Sequence, residues 1–226
     1  MMKKGILLIG AILVIVGTLW LLAGQKKEIR EEKIMPTETV SPVLEEGGEE
    51  EKLKMKNQKL KILMVVAPKN FRDEELFAPK KVLAERGIGI EIASKGVTEA
   101  EGMLGGKTSV DKDLSEVRVD DYDGLIFVGG SGASIYFNDP QALSLAKQAY
   151  EEEKIVGAIC IAPSILANSG ILQGKKATSF SSEAENLKSR GADYTGEGIT
   201  VDGEIITAQG PDFASQFGEK IAEMLQ

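Results

Sequence analysis

Histidine is absent from all 226 residues, and cysteine occurs once, at Cys160. Without histidine, a Cys-His or Ser-His catalytic pair cannot form within one chain, and the commonest zinc ligand is missing. A single cysteine excludes an intrachain disulfide and a thiolate-cluster metal site. Basic residues are also short, with 27 Lys and Arg against 35 Asp and Glu. The net charge of −8 therefore supplies no clustered positive surface for nucleic acid. Aromatic residues make up only 5% of the chain although 42% is apolar, which suits an aliphatic α/β core. Phosphate-binding patterns are incomplete as well. EGMLGGKTS carries Glu101 where a P-loop needs its first glycine, and GGSGAS carries Ile135 where a dinucleotide fingerprint needs its last. No cofactor and no metal are expected; a polar hairpin or turn is the better reading of EGMLGGKTS.

One long apolar run is present. Ile6 to Ala23 carries no charge and as a helix would extend about 27 Å, close to the bilayer core of about 30 Å. Residues 1–25 are expected to be an N-terminal transmembrane anchor, with a cleaved secretory signal as the alternative. Lys3 and Lys4 favour a cytoplasmic amino terminus, which would leave a single-pass membrane protein whose remaining chain is extracytoplasmic. Residues 26–60 are dominated by Glu and Lys, including the run EEGGEEE, and are expected to form a charged, disordered linker with too little to bury.

From residue 61 to 226 short apolar runs alternate with helical patterns. KILMVVA, IGIEIAS, DGLIFVGG and KIVGAI read as strands, with amphipathic stretches such as DEELFAPKKVLAERG between them. This alternation predicts an α/β fold with a mostly parallel sheet covered on both sides. ITVDGEIITAQGP reads as a hairpin, followed by a closing helix from about Asp212. Ligands in such folds bind beyond the carboxyl ends of the strands, where the loops after Ala67, at Gly129 to Gly132, and at Cys160 should converge.

Cys160 sits in IVGAICIAPSILANSG, a strand running into a helix. A sharp strand-to-helix elbow requires small residues two positions to either side, and Ala158 and Ala162 meet that requirement. Pro163 suits the first helical turn. Two readings stay open: a reactive thiol facing a helix amino end, with its thiolate forming well below the ordinary value of about 8.5, or a small buried filler.

The stretches ILMVVAPKNFRDEEL, YDGLIFVGG, AICIAPSILANSGILQGKKAT and VDGEIITAQGPDFASQF resemble, in order, the PfpI family of the class I glutamine amidotransferase-like superfamily. The resemblance implies a flavodoxin-like three-layer sandwich, a homo-oligomer, and an elbow cysteine used in hydrolase, deglycase or glyoxalase chemistry. It makes Cys160 the reactive thiol and Gly130 and Ile161 the backbone donors of an oxyanion site. The family glutamate after the first strand corresponds to Arg72 in FRDEE, a possible thiolate partner. The family's histidine after the cysteine corresponds to Ile161, and its other histidine location to Phe180. Glu74 and Glu75 are the carboxylates left to act as a base. The expected ligand is a small electrophilic or oxidising molecule, and the alternative to catalysis is a non-catalytic interaction domain.

Overall fold

In a computed structural model the described residues are 59–226. The anchor and nearly all of the linker expected at residues 1–60 lie outside them, and among the described residues no helix is long and apolar enough to cross a membrane.

The chain begins with β1 (Lys61–Val65), a short β2 (Lys69–Phe71), helix α1 (Asp73–Glu85) and β3 (Gly89–Ser94). Then come β4 (Glu99–Gly102), β5 (Lys107–Ser109), β6 (Lys112–Asp113) and β7 (Gly124–Phe127). Helix α2 (Pro140–Glu151) leads to β8 (Ile155–Ile159), which breaks at Cys160 into the short helix α3 (Pro163–Asn168). Next are β9 (Lys176–Ala177), helix α4 (Ala184–Ser189), β10 (Asp193–Tyr194), β11 (Ile199–Asp202), β12 (Ile205–Ala208) and helix α5 (Ala214–Met224).

Seven strands form one sheet in the order β11-β12-β8-β7-β1-β3-β6. All neighbours are parallel except β11 and β12, whose antiparallel pairing closes the expected hairpin. The register sets Ile62 beside Ile90 on one flank and beside Gly124 on the other. Successive residues of β1 face opposite layers, as the period of a strand requires. Ile62 and Met64 pack with Leu76 and Leu83 of α1 and with Phe217 and Ile221 of α5. Leu63 and Val65 pack with Leu145 of α2, Ile165 of α3 and Leu187 of α4. These two cores, one on each side of the sheet, are why the central strands read as continuous apolar runs.

Helices α1 and α5 approach closely where a Cβ at Gly218 would stand 2.7 Å from the Cα of Pro79. Glycine is required there by space, not by backbone conformation. Pro79 lies inside α1, where it lacks the N–H that would bond the carbonyl of Glu75.

The P-loop-like stretch is a hairpin. β4 and β5 pair antiparallel, with β2 parallel on the other side of β4. Asp73, at the start of α1, fastens the hairpin tip: its two carboxyl oxygens accept the amides of Gly106 at 2.7 Å and Leu104 at 2.8 Å. β9 and β10, a small parallel pair, are too short to leave a pattern in sequence.

Candidate functional site

Cys160 has φ of 64°, the left-handed region that a non-glycine residue occupies only when its surroundings hold it there. Both of its backbone groups are held. Its amide donates to the Ala208 carbonyl at 2.9 Å, and its carbonyl accepts the Phe180 amide at 2.7 Å. Strand β12 on one side and the segment before α4 on the other thus clamp the elbow. Ala158 and Ala162 are fully buried. Ser164, also fully buried, donates to Glu183 at 2.6 Å and accepts from Asn186 at 3.0 Å, tying α3 to the residues that carry Phe180.

The residue facing the thiol is Glu75. It is fully buried in the first turn of α1, and its carboxyl interacts with the Cys160 side chain and with the Gly129 amide. Neither carboxyl oxygen has a conventionally aligned donor. A Cβ at Gly129 would overlap both Glu75 and Cys160, and one at Gly130, where φ is 91°, would overlap the Arg72 amide. Glycines in this loop therefore let backbone, thiol and carboxyl converge.

Arg72 is placed otherwise than expected. It precedes α1, its amide donates to the Gly129 carbonyl at 3.0 Å, and its guanidinium grips Glu74, with Nε 2.8 Å from Oε2 and Nη2 3.1 Å from Oε1. The short β2 intervenes between β1 and α1, so the carboxylate reaching the thiol comes from three residues further on. Arg72 acts on the pair only at second hand, its charge favouring ionised Glu75.

The expected low thiol pKa is also corrected. Burial, followed by the nearby Glu75 charge, pushes the Cys160 thiol up to about 12, against the pull of the Gly130 and Ile161 amides, which point at the sulfur. Burial likewise pushes the Glu75 carboxyl up to about 8. The two groups therefore titrate as a pair. At neutral pH the pair is a carboxylic acid beside a thiol, and loss of one proton leaves the pair with a single negative charge. Two amides at the sulfur and an acid able to donate to it are the groups that would hold that charge as thiolate.

Ile161 and Phe180 occupy the two locations where histidine was sought, and Phe180 is half exposed beside the elbow. A cavity of about 630 Å³ lies elsewhere, lined by Gly96 to Glu99, Val110 to Asp113 and Glu116, and Cys160 is not among its lining residues. Among the described residues, no group of three or more cysteine and carboxylate side chains could hold a metal ion.

Sequence reasoning named Glu75 only as one of two carboxylates left over. Its signal was available in helical spacing, because Glu75, Leu76, Pro79 and Leu83 form one buried stripe while Glu74 falls outside it. A carboxylate in an otherwise apolar stripe is the pattern of a functional group.

Comparisons with known proteins agree with this fold. Residues 60–224 match the DJ-1/PfpI family. An uncharacterised protein of Methanocaldococcus jannaschii is 43% identical over 190 residues, covering 83% of this chain and 92% of that one. The protein named deglycase PfpI of Pyrococcus furiosus is 32% identical over 154 residues, covering 67% and 91%. Among solved structures, a ThiJ/PfpI domain protein of Brachyspira murdochii superposes with a TM-score of 0.73 at 33% identity, covering 74% of this chain and 98% of that one. DJ-1beta of Drosophila melanogaster gives 0.69 at 27%, covering 74% and 91%. With its flavodoxin-like α/β fold and mostly parallel sheet, this chain belongs to the DJ-1/PfpI family.

Proposed function

We propose that Cys160 is a nucleophile toward small electrophiles, above all reactive carbonyls, and that Glu75 is its proton partner. A single observation carries this reading: a fully buried carboxyl, with no aligned donor of its own, faces the sole thiol of the chain. In the reaction, sulfur adds to the carbonyl carbon, the C–S bond forms as the C=O π bond opens, and the thiol proton passes through Glu75 to the oxygen. The amides of Gly130 and Ile161 support the negative charge. The relatives named deglycases favour the carbonyl version over an oxidant-sensing or non-catalytic domain, and a carboxylic acid shuttle replaces the missing histidine. The domain works as a homo-oligomer at the end of a membrane tether, on the extracytoplasmic side.

The test is the pH dependence of Cys160 alkylation by iodoacetamide. In the native chain the rate should rise through about pH 8, where the pair loses its first proton. In Glu75→Gln that step should vanish, and the rate at pH 8.5 should fall by about a hundredfold, within the range of a lost general base. A Gln variant that alkylates at the native rate, with the native profile, would remove Glu75 from the chemistry.

A further inference from the structure

Near the Cys160–Glu75 pair the fold leaves a small cavity of about 130 Å³, lined by Phe180, Gln209, Gly210, Pro211, Asp212 and Phe213. Neither Cys160 nor Glu75 is part of the lining, but two lining residues, Phe180 and Gly210, stand next to them. Phe180 donates its amide to the Cys160 carbonyl. A Cβ built at Gly210 would stand 3.9 Å from a Glu75 carboxyl oxygen and 4.0 Å from the Phe180 ring. The opposite wall is seated in backbone, for the Phe213 ring lies so close to Gly198 that a Cβ there would overlap it. Around that wall, Phe213 donates to Gly210 at 3.0 Å, and Gln209 donates to Gly198 at 3.0 Å and to Gly196 at 2.8 Å.

We propose that this cavity is the side-group subsite of Cys160, taking a neutral aryl or compact branched alkyl group while the electrophilic carbon is presented to the sulfur. The inference rests on the reading of Cys160 as a nucleophile and adds the class of molecule it attacks. Two aromatic walls are the lining expected of a small-molecule pocket. The volume is also right, since an apolar cavity of about 150 Å³ takes up benzene. Asp212, with no cation in the lining, disfavours an anionic group.

The experiment compares two reagents with the same reacting group, iodoacetamide and its N-benzyl derivative, on the full-length chain. In each, sulfur displaces iodide from the CH2 carbon, and the thiol proton leaves to Glu75 or water. Cys160 is the sole cysteine, so intact mass reads its alkylation directly. The benzyl-to-plain rate ratio should be at least fivefold higher in the native chain than in urea. Phe180→Ala should return the ratio to within twofold of the unfolded value. Gly210→Ala, whose methyl meets only ordinary contacts, should lower it at least threefold by placing a methyl between the Phe180 ring and Glu75. In parallel, saturation-transfer NMR should show unreactive N-benzylacetamide bound to the native chain but not to Phe180→Ala. Equal ratios in the native and unfolded chains overturn the subsite. If iodoacetamide leaves native Cys160 unlabelled, the nucleophile reading falls instead. Saturation transfer then decides the cavity alone: transfer retains it as a binding site, and its absence overturns it.

Discussion

Two carboxylates stand two residues apart in the first turn of α1, both buried, in opposite situations. At the hairpin tip, Asp73 is 7% exposed and each of its oxygens accepts a backbone amide. In the Cys160 cleft, Glu75 is 0% exposed and neither oxygen has an aligned donor. A buried charge that is fully hydrogen-bonded holds structure together, whereas one left without aligned donors and facing a thiol is kept charged only at a penalty. The difference separates a fastening from a reactive group more sharply than burial or residue type does.

The sharpest way to test the comparison is stability against pH. A carboxyl raised on folding binds its proton more tightly in the folded chain, so stability falls as pH climbs from the ordinary value of 4.5 to the folded value of about 8 and is flat on either side. Chemical denaturation of the native chain and of Glu75→Gln at pH 4.5 and pH 8.5 should show the native chain losing about 5 kcal/mol relative to the variant, at about 1.4 kcal/mol per pH unit. Parallel curves for the two proteins would mean that Glu75 is not held as a buried acid.

Asp73 should matter for stability and hardly for the thiol. Asp73→Ala leaves the Leu104 and Gly106 amides without their acceptor, and urea denaturation should show a loss of about 3 kcal/mol. The thiol alkylation rate should change far less than in Glu75→Gln. A variant as stable as the native chain would show that the hairpin tip does not depend on this fastening.

Arg72→Met should have the smallest effect. The Arg72–Glu74 pair is partly solvent-exposed on both sides, and such pairs contribute about 0–1 kcal/mol. Because the Arg72 charge favours ionised Glu75, its removal should move the alkylation midpoint upward from about pH 8, by less than about one unit. A rise of clearly more than one unit would contradict the placement of Arg72 outside the pair.

How legible these features were depended on the kind of interaction each one needs. Ile62 to Val65, Leu125 to Phe127 and Val156 to Ile159 announced themselves as buried strands because both of their faces are covered, so apolar residues run without interruption. The hairpin at Asp202 to Ile205 was visible in its VDGE turn. β2, β9 and β10 were not, being strands of two or three residues that owe their existence to neighbouring chain.

The sequence by itself determined that no histidine serves Cys160, that small residues flank it, and that a strand meets a helix there, since composition and local spacing need no knowledge of distant neighbours. Only the tertiary structure decided which of Arg72, Glu74 and Glu75 meets the thiol. It also decided that burial raises both members of the resulting pair, and that Phe180 and Phe213 stand as walls beside it. Proton affinity depends on how much water is excluded and which charges lie within a few ångströms. Segments as distant in sequence as Glu75, Gly129, Cys160 and Gly210 acquire that closeness only when the sheet has formed.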